Sequence, residues 1–408
     1  MIRTLVLLLT AVALDAHAAT FEVQAKRYRV GPNPVSVALA DLNEDGLLDI
    51  LVANRGPLRD IRDEHPAEEN ISYLVGRDDG AFDSRPPLPC GFGPYEVVVA
   101  NIDALRAPDI IVANFLAVRN RDLTLLRNLD ASVFEPRHFS VPDDSLRYAQ
   151  MRDSEGQPIF STPGLTAVAV ADVNGDGYRD AFATGWSSDV IVHFPGHPEK
   201  YFSDPIITAL AGGPRDLVLD DLDGDGAFDL AIALYNSDEI ALLKGSGKGE
   251  FDLIDKFSAR GKMPQRIRVA DVNGDRRRDL IVSHAQSDDC VVVFYGDGDF
   301  KFEVAQEIRL GADRFRREIG VQDMIVRDFN ADEKMDIALA CSDAGAVILL
   351  RNTSEGKGLP LRFEQEVYPF EGGAPHALAA ADITRDGRPD LAVALWGVDS
   401  VGFLFNLP

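Results

Sequence analysis

Residues 221–229 read Asp221-Leu222-Asp223-Gly224-Asp225-Gly226-Ala227-Phe228-Asp229, a D-x-D-x-D-G-x-x-D run. Carboxylates at positions 1, 3, 5 and 9 repel one another unless a cation sits among them. Oxygen donors at alternate positions, with a glycine at 6 for the sharp turn, suit calcium. In a helix-flanked loop of this kind a bidentate Glu stands at position 12. Here position 12 is Ile232, inside the apolar run 230–234, which reads as a buried strand. The loop therefore joins two strands.

Further copies begin at Asp41, Asp172, Asp271, Asp328 and Asp382, and a degraded copy begins at Asn101, at steps of roughly 50–70 residues. Position 12 is apolar in every intact copy: Val52, Ala183, Ile232, Val282, Leu339 and Val393. Periodicity of this kind means a propeller, a solenoid or an array. It overrides the two or three domains that 408 residues would otherwise suggest. Each repeat has the same order, as in repeat 4: an apolar strand at 216–220, the loop, a second strand at 230–234, and a third at 240–243. A Gly-rich turn ending in Phe251 and a more polar fourth strand follow. Four antiparallel strands with tight turns make a propeller blade. Seven repeats predict an all-β fold, a seven-bladed β-propeller of four-stranded blades over 19–408.

The last repeat stops at its third strand, 401–405, and residues 21–30 look like an orphan fourth strand. The N-terminal strand is expected to complete the last blade and close the ring, leaving no open edge. A small residue recurs four positions after the last Asp of each loop (Ala53, Ala113, Thr184, Ala233, Ser283, Ala340, Ala394), which reads as close packing between blades. Insertions at 55–70 and 140–163 fall on the face opposite the loops, as a binding face or as tolerated surface loops.

Residues 1–18 read as a cleaved signal peptide: Arg3, an apolar stretch over 5–14 and an Ala16-His17-Ala18 site. That stretch is shorter than the ~20 residues a spanning helix needs. No later segment is long or apolar enough to span. The expectation is a secreted or periplasmic protein, monomeric, with no membrane span. A net charge of −25 argues against a nucleic-acid partner. Three cysteines, Cys90, Cys290 and Cys341, are too few for a disulfide framework; Cys290 and Cys341 either pair or stay buried thiols.

The loops, the D-[LI]-x-[VI]-A strands after them and the G-x-F turns resemble the FG-GAP/VCBS repeat family, of which the integrin alpha-subunit propeller is a member. The resemblance covers nearly the whole of 20–408. It implies structural calcium on one face and ligands on the other. It leaves function open, because the family includes adhesion modules, lectins, and propeller domains of polysaccharide lyases and dehydratases.

Five or six structural calcium sites are expected, with side-chain ligands at 1, 3, 5 and 9 and a backbone carbonyl at 7. They are Asp41, Asn43, Asp45, Leu47 and Asp49; Asp172, Asn174, Asp176, Tyr178 and Asp180; and Asp221, Asp223, Asp225, Ala227 and Asp229, the most negative set. Next come Asp271, Asn273, Asp275, Arg277 and Asp279; Asp328, Asn330, Asp332, Lys334 and Asp336; and Asp382, Thr384, Asp386, Arg388 and Asp390. Arg276 and Glu333 replace the position-6 glycine, where a positive φ costs about 1 kcal/mol, so these two loops are expected to bind more weakly. In the degraded loop Leu105 replaces the position-5 carboxylate, and no metal is expected. Asx-rich turns without metal are the competing reading of all the loops.

No nucleophile elbow, HExxH, P-loop or CxxC occurs in the sequence. The starts of the first strands carry Tyr95, Glu96, Arg215, Asp216, Gln265, Arg266, Gln322, Asp323 and His376. The ends of the second strands carry Phe115, Trp186, Tyr235 and Trp396 on the same face. Two readings follow. Either a polar funnel rimmed by aromatics receives a glycan or protein ligand, or the charges pair with each other and the rings pack between blades. The corresponding functions are a non-catalytic binding or adhesion module and, alternatively, a polysaccharide-active lyase or dehydratase working from the top-face central funnel.

Overall fold

The computed structural model describes residues 20–56, 70–103, 107–116, 121–130, 133–148, 152, 155–156, 162–286, 290–310, 319–355 and 361–407. The expected signal peptide, Leu105 and most of the 55–70 insertion lie outside the described residues, as does the side chain of Cys290.

Seven four-stranded antiparallel sheets stand in a ring as a seven-bladed propeller. Blade 4 shows the plan. Its inner strand Pro214–Asp220 pairs with Asp229–Leu234, which pairs with Glu239–Gly245, which pairs with the outer strand Phe251–Ser258. The second strand of that blade is buried at all six residues, as in Asp49–Asn54, Asp109–Asn114, Asp180–Gly185, Asp336–Cys341 and Asp390–Leu395. Blades cover both of its faces, so it reads as an unbroken apolar run rather than an alternating one. The outer strand is mostly exposed, which is why Phe251–Ser258 is the polar one.

The ring closes as expected. Thr20–Val23 pairs with the last strand, Ser400–Leu407, in the register Thr20↔Leu407 to Val23↔Leu404, and Tyr28–Arg29 pairs with Val401 and Ser400. Phe21 packs edge-on to Phe329 and Tyr368 of the neighbouring blade, and Tyr28 does the same to Phe82 and Phe403. Both chain ends therefore contribute to one blade.

Every inner strand begins with a register shift. In six blades the residue just past it faces the recurring small residue of the second strand: Ser36↔Ala53, Glu96↔Ala113, Asp216↔Ala233, Arg266↔Ser283, Asp323↔Ala340 and Ala377↔Ala394; in blade 3 Val168 faces Ala183, and the Thr166 hydroxyl meets that of Thr184 at 2.9 Å. These small residues are fully buried, with no exposed surface. Each bulge bends its strand and places one residue per blade around the ring's axis, so the packing motif and the funnel residues are two sides of one cross-strand pair.

Candidate functional site

The loops between first and second strands share one geometry. The position-1 carboxylate accepts the backbone N–H of position 6, as Gly46→Asp41 at 2.9 Å, Gly177→Asp172 at 2.9 Å, Gly226→Asp221 at 3.0 Å and Gly387→Asp382 at 2.9 Å. Arg276→Asp271 and Glu333→Asp328 keep the same bond at 2.8 Å, with φ of 71° and 65° where the glycines have 83–89°. The loops without glycine therefore hold the turn against its strain. Position 4 is left-handed too, in Glu44, Gly175, Gly224, Gly274, Ala331 and Arg385, which the D-x-D spacing did not reveal. Position 5 accepts the amide of position 7, from Leu47, Tyr178, Ala227, Arg277, Lys334 and Arg388.

In the fourth loop Asp221, Asp223 and Asp225 each bring a carboxylate oxygen within 4.8 Å of the other two. This all-oxygen set fits a hard divalent cation. It is not the unrelieved negative cluster that the sequence suggested: the Lys244 ammonium lies against Asp223 and 2.8 Å from Asp225. In the first, third and fifth loops the asparagine at position 3 turns its NH2 to the position-5 carboxylate at 2.8–3.2 Å. Thr384 donates its backbone amide to Asp390 at 2.9 Å. In the degraded loop Arg127 binds Asp103 at 2.9 Å.

Position 9 does something the ligand pattern did not predict. Asp49, Asp109, Asp180, Asp229, Asp279, Asp336 and Asp390 are all fully buried. One oxygen accepts the amide of position 2, and the other accepts an amide at the end of the third strand: Gly76, Asn128, Gly196, Gly245, Gly296, Asn352 or Asn406. All these bonds are 2.7–3.2 Å. The carboxylate is thus a clasp between the loop and the third strand. Burial pushes Asp49, Asp229 and Asp336 up to about 6 and Asp279 to about 7, against the pull of those amides. Asp109 keeps the clasp in the blade whose loop is degraded, which separates this role from metal binding. Asp109→Asn leaves one buried amide facing an NH2 group, so urea unfolding should show a loss of about 1–3 kcal/mol, independent of calcium. A loss that vanishes on chelation would contradict the clasp.

At the axis, Arg266 of blade 5 gathers carboxylates from three other blades. Its guanidinium lies 3.0 Å from Asp323, 3.3 Å from Glu96 and 3.5 Å from Asp216. Arg268 adds contacts to Asp216 at 2.7 Å and Asp323 at 3.4 Å. Asp216 also accepts the amide of Ile267, and Asp323 that of Leu378, so each ties its blade to the next. Ser36 does the same to Val97. Burial opposes the Arg266 charge, but Asp323, Glu96 and Asp216 hold it well above its ordinary value. Burial pushes Glu96 up to about 7 against the pull of Arg266, and Asp216 and Asp323 add to the push. Among the funnel charges, Glu96, Asp216, Arg266 and Asp323 thus pair with one another, and Arg215 stands outside that cluster. Gln265 reaches Gln322 at 3.4 Å, and Gln322 reaches Ser342 at 3.3 Å.

Above this plug lies the channel mouth. Phe115, Trp186, Tyr235 and Trp396 each follow a second strand and donate their amide to the entry of the inner strand, at Gly93, Gly164, Gly213 and Ala374. Arg55 makes the same bond to Asn33 and occupies the equivalent place in blade 1. Its offset from the strand end is identical, but its side chain is not aromatic. Tyr95, Phe115 and Trp186 form a run of rings 5.6 Å and 5.9 Å apart, continued edge-on to Tyr235. Phe115 and Tyr95 are buried, while Trp186, Tyr235 and Trp396 are half-exposed. Arg215 lies over Tyr95, 4.8 Å from its ring centre, and reaches its hydroxyl. Arg55 lies 4.5 Å over Trp396, whose other neighbour is the stacked ring of His376 at 5.1 Å. Burial, then Arg55, Arg266 and Arg215, push His376 down to about 3, so its ring is neutral.

FG-GAP-like repeats match in three places, residues 172–232, 221–282 and 328–393. No curated protein compared with the chain matches it. Among solved structures, BBS1N in complex with ARL6DN is similar at TM-score 0.60 and 14% identity, over 96% of this chain and 98% of that one. A catalytically inactive virginiamycin B lyase from Staphylococcus aureus with quinupristin is similar at 0.59 and 11%, over 95% and 100%. A putative 6-phosphogluconolactonase from Bacteroides uniformis is similar at 0.56 and 16%, over 83% and 87%. At these identities the likeness is one of fold. The repeats, the closed ring of sheets and the loops they carry lead to one conclusion: the chain is a seven-bladed β-propeller carrying FG-GAP-like repeats.

Proposed function

We propose that this chain is an exported, monomeric, calcium-stabilised propeller that acts as a non-catalytic binding or adhesion module, taking a glycan or protein partner at the channel mouth. The observation that carries the reading is a division of labour along the axis. The carboxylates a catalyst would use are consumed by Arg266, Arg268 and neighbouring backbone amides, whereas Trp186, Tyr235 and Trp396 keep half-exposed rings at the mouth. Calcium would be held by the side-chain oxygens of positions 1, 3, 5 and 9 and the carbonyl of 7, with Asp221, Asp223 and Asp225 as the most convergent set. Its charge would offset that of the loops and favour the ionised form of the buried carboxylates beside them.

Glu96 supports a second reading. A carboxyl pushed up to about 7 and partly open to the channel has the acidity of a general acid or base, as a polysaccharide lyase or dehydratase would need. One experiment separates the two: incubate the calcium-loaded chain with a panel of polysaccharides, and record both bound protein and new oligosaccharides by mass spectrometry. Retention without products is expected, lost in Trp186→Ala and Trp396→Ala. Unsaturated or shortened products that disappear in Glu96→Gln would overturn the binding reading.

A further inference from the structure

Net charge is −25 across the chain, yet the channel mouth is locally positive. Arg55 and Arg215 stand there without a carboxylate partner among the described residues. The Arg55 Nε is buried with no hydrogen bond, and burial, then the Arg215 charge, lower the Arg55 value. Two neighbouring cations, one largely withdrawn from water, are costly unless an anion joins them. Both lie over aromatic rings, Arg55 over Trp396 at 4.5 Å and Arg215 over Tyr95 at 4.8 Å. Stacking of this kind fixes the plane of a guanidinium and leaves much of its N–H edge available for a two-point grip on a carboxylate.

We propose that the mouth is a binding site for the carboxylate of an acidic saccharide, a uronate-type sugar gripped between Arg55 and Arg215. The proposal rests on the binding-module reading and names its ligand class. Three features favour a sugar over other anions. The half-buried Tyr235 ring lies 5.9 Å from the Arg215 guanidinium and continues into the Trp186 ring, an aromatic wall of the kind a pyranose packs against. His376 is neutral, and its Nδ1 is buried without a partner, which suits a hydroxyl rather than a second charge. Among the described residues two guanidiniums at the mouth lack a carboxylate partner, which matches a ring bearing one carboxylate better than an extended polyanion.

The test is calorimetric titration of the full calcium-loaded chain with three probes: a galacturonate tetramer, the same tetramer with its carboxylates reduced to alcohols, and tetraglutamate. The acidic tetramer should bind, weaken as salt rises, and lose at least about tenfold in affinity on carboxyl reduction, the equivalent of one charged hydrogen bond. Arg55→Gln and Arg215→Gln should each lose about tenfold or more without a fall in melting temperature. The comparison of acidic and reduced tetramers needs no variant, so it stands even if a substitution unfolds the chain. Equal binding of both tetramers would overturn the anion site and leave a lectin-like module. Binding of tetraglutamate alone would overturn the sugar and point to an acidic protein partner. Absence of binding to all three, with no retention on any polysaccharide, would overturn this proposal together with the glycan arm of the broader reading.

Discussion

Replacing Arg266 with methionine should lower the unfolding free energy by about 3–5 kcal/mol, because removing one partner of a buried ion cluster strands the others. The stranded groups here are three carboxylates from three blades, Glu96, Asp216 and Asp323, left with Arg268, whose side chain is 30% exposed. The loss should depend on pH through Glu96. Its folded value, about 7, lies above that of an unfolded glutamate at about 4.3. The folded state therefore holds the proton more tightly. The associated stability is fully present below about pH 4 and is lost as pH rises through 7. Without Arg266 the ionised form has less support, so urea melts of Arg266→Met should be worse at pH 8 than at pH 5, and Glu96→Gln added to it should recover part of the difference. Wild-type stability in Arg266→Met at both pH values would show that the cluster holds nothing together.

Chelation should have the larger total effect if the loops hold calcium as proposed. At free calcium one hundred times the dissociation constant, each site contributes about 2.7 kcal/mol. Several sites acting on one cooperative ring would make the melting temperature strongly dependent on calcium. The loops should not respond alike. In blade 4 the Lys244 ammonium already lies against Asp223 and Asp225, so an entering ion must displace it, and Lys244→Met should raise calcium affinity there. The loops with Arg276 and Glu333 carry the left-handed strain whether or not they are filled. A melt unchanged by chelator, with no calcium detected by elemental analysis, would make the loops Asx-rich turns held by their own amides.

What was legible in the sequence was whatever repeats. Six copies of one loop and a seventh, degraded one, at steps of roughly 50–70 residues, carried the blade count, the order of strands and the closure by residues 21–30. The direction of the funnel residues followed from their place at the start of each inner strand. What the sequence left open lies between blades. Glu96, Asp216, Arg266 and Asp323 meet across separations of 50 to 170 residues, and nothing local tells a catalytic carboxylate from one held by an arginine of another blade. The double duty of the ninth-position aspartate was hidden for a similar reason. A calcium pattern accounts for its presence, and only Asp109, in the loop that has lost the pattern, shows that the fold needs it regardless. Arg55 was missed because the search was by residue type; by offset it belongs to the same ring as Trp186 and Trp396.

The pairing of Thr20–Val23 with Ser400–Leu407 also has a bearing on how the molecule is made. No strand pair among the described residues is further apart along the chain. Closing a flexible loop of that length from scratch costs about 5 kcal/mol in chain entropy before the first contact forms, and such long-range pairings slow folding. During synthesis the first strand waits until the last one emerges. Stacking of the intervening blades solves the problem by curvature: once they are in place, the gap to be bridged is one blade wide rather than a whole chain long. The N-terminal segment then acts as a latch, added last and the first to come undone.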